Sequence, residues 1–164
     1  MIELKEVELS DKQWLEPLIK KSGYFGCDYS FGCIYVWKDT YHPRVGLVDG
    51  FALVESTYGE LTTYLLPLGE GDAKAAVETL IHEFSQSGKP LRFHGVEPSG
   101  REFLEQNFPG RFDFEEYRDG FDYLYNSTDL IALAGKKYHS KRNHISMFER
   151  TYDWSFEEIT EANM

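Results

Sequence analysis

Apolar residues along this 164-residue chain switch between a period near two and a period near 3.6, and the switches mark out its elements. Ile2 and Leu4 alternate with polar neighbours, and Val7 and Leu9 follow after a phase shift, which predicts an edge strand over 2–9. Ser10-Asp11-Lys12-Gln13 has the form of a capping box. Trp14, Leu15, Leu18 and Ile19 then recur at helical spacing up to Gly23. Ile34, Trp37 and Tyr41 stand at i, i+3 and i+7, so 31–41 reads as a helix that Pro43 terminates. Two apolar runs flank Asp49-Gly50 between Arg44 and Ser56, a strong hairpin signal, and Leu61 to Leu68 reads as a third strand.

The second half continues the alternation. A helix is predicted from Ala73 to Ser87, with Ala76, Leu80, Ile81 and Phe84 on one face and Gly88-Lys89-Pro90 as its stop. Leu91 to Val96 reads as a strand. Glu97 to Phe108 reads as a helix with Phe103, Leu104 and Phe108 inward. Phe112–Tyr117 and Phe121–Tyr125 read as strands joined by a turn at Arg118-Asp119-Gly120. Ser127-Thr128-Asp129 caps a last helix, from near Leu130 to about Arg150, and Trp154-Ser155-Phe156 reads as the start of one more strand. This order predicts a layered α/β (α+β) fold in which helices flank a mixed, mostly antiparallel sheet.

Composition narrows the function. A chain of this length is one ordinary domain, or one domain with a short appendage. Its 41% apolar and 16% aromatic residues are ample for a core. The formal net charge of −11 argues against a protein that coats DNA or RNA, which needs a surplus of Lys and Arg. No apolar run approaches the roughly 18–20 residues of a membrane span, and the acidic, alternating N-terminus is the opposite of a secretory signal. These features predict a cytoplasmic protein, with peripheral membrane attachment left open. Cys27 and Cys33 lack zinc-site or redox-motif spacing, so they read as free, buried, structural thiols, and no metal site is expected.

Most familiar chemistry is missing as a motif. There is no Gly-x-Ser-x-Gly, zinc signature, P-loop or dinucleotide fingerprint. Gly69-Glu70-Gly71 lies between a strand and a helix, where backbone amides bind phosphate in other proteins. Here Glu70 and Asp72 occupy the place of the anion, so a turn with a self-capped helix is the favoured reading. Asp28, Asp39, Asp49 and Asp119 are explained by turn chemistry, and His42, His82 and His94 are scattered.

One segment resists that treatment. Residues 135–145 read Gly-Lys-Lys-Tyr-His-Ser-Lys-Arg-Asn-His-Ile and hold four of the 17 Lys and Arg and two of the five His. On a helix, Lys137, Lys141 and His144 share one side with Lys136 beside them, while Tyr138, Arg142, Ile145 and Phe148 form an adjacent stripe. A solvated basic face partnered by Glu149 and Asp129 and an anion-binding face are equally good readings of that spacing.

Asp122-Tyr123-Leu124-Tyr125, Leu130, Leu133 and the run from Gly135 to Ile145 with Phe148 resemble the signature of the phosphatidylglycerol lysyltransferase C-terminal-domain family. Tyr35-x-Trp37, Tyr64 and Pro67-Leu68-Gly69 are similar to that family too. The resemblance implies a tandem GNAT-like fold, akin to the Fem aminoacyltransferases, with a cleft formed by two units. On that basis residues 1–128 are expected to form one GNAT-like unit, and 129–164 a basic linking helix and the start of a second unit that is missing. The implied activity is acyl or aminoacyl transfer from acyl-CoA or aminoacyl-tRNA to an amine or a lipid hydroxyl, with no cofactor held by this chain. Lys136, Lys137, His139, Lys141 and Arg142 are the candidate anion- or substrate-binding residues, and Tyr138, Asn143 and His144 the catalytic candidates. A lone half is expected to be inactive and to cover its exposed faces by homodimerisation or another contact. The rival expectation is a non-catalytic module whose basic helix docks an anionic partner.

Overall fold

The computed structural model describes residues 2–164, which divide into two units, one ending at Asp122 and one spanning Tyr123–Met164. The first unit is built on an antiparallel sheet of strands β1 (Lys5–Glu6), β2 (Arg44–Val48), β3 (Phe51–Tyr58) and β4 (Leu61–Tyr64), in that order. Asp49 and Gly50 both take positive φ, 51° and 83°, as a two-residue hairpin turn demands, and β2 and β3 pair in register from Val48↔Phe51 to Arg44↔Glu55. Beyond β4 the chain keeps its pairing to β3. Leu65 donates its N–H to the Val54 carbonyl, and Ala52 and Leu68 exchange both bonds. The third strand expected over 61–68 is therefore present as β4 plus this continuation.

Helices cover both faces of the sheet. α1 (Lys12–Ser22) and α2 (Phe31–Val36) pack by Leu15, Ile19, Phe31 and Ile34 against Val45, Ala52, Val54, Leu65 and Leu68. On the opposite face Leu80 of α4 (Lys74–Ser87) meets Leu53 and Tyr64. This sandwiching explains why Phe51-Ala52-Leu53-Val54 is an unbroken buried run rather than an alternating one. Leu66 and Val77 form a further cluster with Leu104 and Phe108 at α5 (Pro98–Asn107). The expected mixed α/β class is what the structure has.

Several elements differ from their sequence signals. Residues 2–9 yield only the two-residue β1. The Ser10–Gln13 box gives way to a 3₁₀ turn at Leu9–Asp11, because the Asp11 carboxylate accepts the Glu8 N–H at 2.8 Å instead. The 31–41 helix breaks at Trp37 into α2 and α3 (Lys38–Tyr41). Residues 91–96 contribute one parallel bridge, Phe93 to Tyr64, rather than a strand. The turn at Arg118–Gly120 exists as a 3₁₀ turn, but residues 112–117 and 121–125 form no hairpin. Phe112 and Phe114 are drawn into the α5 cluster, and the Arg101 guanidinium stacks 4.8 Å over Phe114. Tyr117, Tyr123 and Leu124 stay exposed, and a pair with neither face covered has little to hold it.

The second unit holds α6 (Ser127–Ala132), a 3₁₀ turn (Lys136–Tyr138) and α7 (His139–Thr151). The single helix expected from 130 to about 150 is thus two. Leu133 turns to φ 45° and Gly135 takes φ 80° and ψ 178°, a conformation reserved for glycine. Trp154-Ser155-Phe156 is not a strand.

Candidate functional site

All eight site residues expected from the sequence lie in the second unit, on the 3₁₀ turn and the first half of α7. The polar centre of this region is Asp129, in the first turn of α6. Its Oδ2 accepts from Lys137 Nζ at 3.0 Å and from the Tyr138 hydroxyl at 3.2 Å. The Lys137 ammonium also lies 4.8 Å over the Tyr138 ring. Lys137, first by its hydrogen bond and then by its charge, holds the Asp129 carboxyl below its ordinary pKa, and Asp129 raises Lys137 in return. Tyr138 is buried. Among the candidates it and Lys137 are anchored by a carboxylate.

Arg142 has a different task. Its Nη1 donates to the Leu133 carbonyl and, at 2.9 Å, to the Gly135 carbonyl. It thereby ties α7 to the sharp turn that ends α6, pairing the carbonyl of its C-cap, Leu133, and that of Gly135 just beyond. Lys136 is exposed on the 3₁₀ turn. The Lys141 ammonium lies 5.0 Å from the centre of the Tyr125 ring. Asn143 Nδ2 is 3.2 Å from His139 Nε2, one helical turn apart. The sequence split these side chains into a basic side and an adjacent stripe. The structure sorts them by partner: Lys137, Tyr138 and Arg142 hold the turn, while Lys136, His139, Lys141, Asn143 and His144 are presented to solvent.

His144 also lines an open groove of about 690 Å³ with Ile145, Met147, Phe148, Tyr152 and Trp154. Phe148 stacks near Tyr152 and Trp154, with centroids 5.1 and 6.0 Å away. The lining is largely apolar, and Ile145, Met147 and Phe148 on it are all about half exposed.

Elsewhere the Gly69-Glu70-Gly71 turn carries acidic side chains where an anion would have to sit, in keeping with the plain turn expected there. Glu70 pairs with Lys21 at 3.3 Å, and Asp72 accepts the Lys74 N–H at 2.9 Å, so an acidic side chain occupies the start of α4. His94 is largely buried, and its Nδ1 has no hydrogen-bond partner among the described residues. Burial holds its imidazole below its ordinary pKa, against the opposing charge of Asp28. Cys27 and Cys33 are free thiols, but Cys27 is exposed and Cys33 half-buried rather than both buried. The first unit also brings them together with Asp28 into one cluster. No sequence spacing announced that grouping, because it depends on a 3₁₀ turn followed at once by a helix.

No described helix is long and apolar enough to cross a membrane. The family described as phosphatidylglycerol lysyltransferase, C-terminal, matches residues 20–164, and the chain belongs to it. Among solved structures it is similar to a conserved protein of unknown function from Bacteroides thetaiotaomicron VPI-5482, with 36% identity and a TM-score of 0.84. That match covers 93% of this chain and 51% of the other, so the chain spans about half the length of that structure. No curated protein matches it.

Proposed function

We propose that this chain is one GNAT-like half of an acyl- or aminoacyltransferase whose second unit presents the anion-binding element. The observation that carries the reading is the family match over residues 20–164, which includes the whole basic run. Lys136 and Lys141 supply cationic charge for the phosphates of acyl-CoA, an aminoacyl-tRNA or an anionic lipid headgroup. The groove beside His144 receives the apolar part of the substrate. In the transfer an amine or hydroxyl attacks the acyl carbonyl, the bond from that carbonyl to the donor's sulfur or oxygen breaks, and the nucleophile's proton passes to the leaving group. Asn143 keeps a second amide hydrogen beyond the one facing His139 and is the donor for the developing oxyanion. His144, open on the groove wall, is the group that relays the proton. Tyr138, with its hydroxyl held by Asp129, positions the turn instead. Coverage of only 51% of the similar structure supports the further reading that both halves of the cleft are needed for turnover. Holding both reactants in line can lower a barrier by about 7–11 kcal/mol, and half a cleft forgoes most of that.

Exposed Ile145, Phe148 and Trp154 favour a second reading, an assembly module in which the same face docks an anionic partner. One experiment addresses both. Binding of coenzyme A, tRNA and phosphatidylglycerol vesicles is measured at two salt concentrations for the wild type and Lys136→Glu/Lys141→Glu, with acyl and aminoacyl transfer assayed alongside. The expected result is weak, salt-sensitive binding without turnover. Each lost phosphate contact should flatten the logarithmic salt slope by about 0.7–0.9. Unchanged affinities in the double variant would sink the anion-binding reading, and robust turnover by the 164-residue chain would sink the half-cleft reading.

A further inference from the structure

The loop between α1 and α2 gathers an unusual set of donors. Gly26 opens a 3₁₀ turn at Cys27–Tyr29, and Ser30 caps α2, whose third residue is Cys33. The Ser30 hydroxyl works in both directions: it donates to the Cys27 carbonyl at 3.0 Å and accepts the Cys33 N–H at 3.1 Å. One side chain thus fixes the two cysteines relative to each other. Cys27 Sγ, Cys33 Sγ and an Asp28 carboxylate oxygen all lie within 4.8 Å of one another. Asp122, distant in sequence, accepts the Cys27 N–H at 2.7 Å. Glu97 accepts the N–H groups of Phe25 and Gly26 at 2.6 Å each.

Charge in this loop is one-sided. Among the described residues, none of Asp28, Glu97 and Asp122 forms an ion pair. The cluster therefore holds two thiols and neighbouring carboxylates with no cation to balance them.

We infer that Cys27, Cys33 and Asp28 form a binding site for a borderline-soft divalent cation of the zinc type. Two sulfurs and one carboxylate suit zinc or cobalt and disfavour magnesium or calcium, which take oxygen donors. Metal–sulfur bonds near 2.3 Å and metal–oxygen bonds near 2.0–2.2 Å place tetrahedral ligands about 3.3–3.8 Å apart. A contraction of at most about 1–1.5 Å closes the set, and rotation of the exposed Cys27 side chain provides it. Solvent takes the fourth position. Asp122 stands outside the metal's own ligands and holds the Cys27 backbone, as outer partners do in metal sites. On binding, two S–H bonds break, two metal–sulfur bonds form, and the two protons leave to the buffer. The inference does not depend on the transferase reading, since all of these residues belong to the first unit.

The test is titration of the purified, fully reduced full chain with Co²⁺, followed by displacement with Zn²⁺. The expected result is one equivalent bound per chain, with a thiolate-to-cobalt charge-transfer band and the visible bands of a tetrahedral ion, both bleached by zinc. Cys27→Ser and Cys33→Ser should each at least halve the charge-transfer band, the double variant should abolish it, and Asp28→Asn should weaken binding more than Asp122→Asn, whose outer position predicts a loss of about 10–100-fold. His82→Ala, remote on α4, should leave all of it intact. Far-ultraviolet circular dichroism of each variant confirms folding. Should either serine variant fail to fold, alkylation of the reduced wild type at both thiols replaces it, and the band should then be lost. Absence of a charge-transfer band in the reduced wild type would overturn the inference. So would cobalt binding that survives removal or alkylation of both thiols, which would mark a carboxylate surface only.

Discussion

Arg142 tests whether the basic run is built for structure or for ligand. Its guanidinium, half-buried, donates to the carbonyls of Leu133 and Gly135 and so fastens α7 to the turn after α6. Charge-assisted hydrogen bonds contribute about 1.5–3 kcal/mol each, and because one half-exposed Nη1 is shared between both carbonyls the pair is discounted below that range, to about 1–2 kcal/mol in total. Arg142→Ala should lower the local stability of the second unit by that amount. Arg142→Lys keeps the charge but replaces the rigid guanidinium, whose Nη1 reaches both carbonyls, with a flexible ammonium, and should recover about half. The assay is native-state amide hydrogen exchange. A loss of 1–2 kcal/mol speeds exchange by about 5–30-fold for amides of α7, while those of β2 and β3 remain protected. Coenzyme A, tRNA and vesicle affinities are measured on the same proteins. The fastening role of Arg142 is refuted if α7 exchange in Arg142→Ala stays within about twofold of wild type. It fails equally if Arg142→Lys restores α7 protection completely, because charge alone would then suffice.

Two further predictions concern the first unit. A Cβ at Gly100 would stand 2.4 Å from Leu66 Cδ1, and Leu66 is itself 1% exposed with little room to retreat, so Gly100→Ala should cost about 1–3 kcal/mol; an unchanged urea midpoint would contradict this. Asp11 is buried, and burial opposes its charge, but hydrogen bonds from Lys5, Trp14 and the Glu8 amide outweigh that and hold its carboxyl below the ordinary 3.8. A depressed folded value stabilises the fold above about pH 3.8 and loses that contribution as pH falls further, so wild type should lose more stability than Asp11→Asn between pH 5 and pH 2; parallel stability curves would disprove the assignment.

Much of this protein was legible along the chain wherever one local pattern sufficed. Asp49-Gly50 between two apolar runs specifies its hairpin, because only residues tolerant of positive φ make that turn. Apolar spacing in 12–22, 74–87 and 98–107 marks three helices that bury one face. The basic run with its flanking aromatics pointed to the right family. Other features depend on partners that periodicity does not contain. Residues 112–125 carry the alternation of a hairpin, yet Phe112 and Phe114 bury more by joining α5, and no covered sheet face recruits the rest. The basic run reads as one helix, but a turn that only Gly135 can make, fastened by Arg142, splits it and sorts its side chains into turn-holders and solvent-facing residues. Cys27, Asp28 and Cys33 show no ligand spacing in sequence. They converge because Ser30 ties a 3₁₀ turn to the next helix, with Asp122 arriving from far along the chain, and such through-space geometry is decided only when the chain is folded.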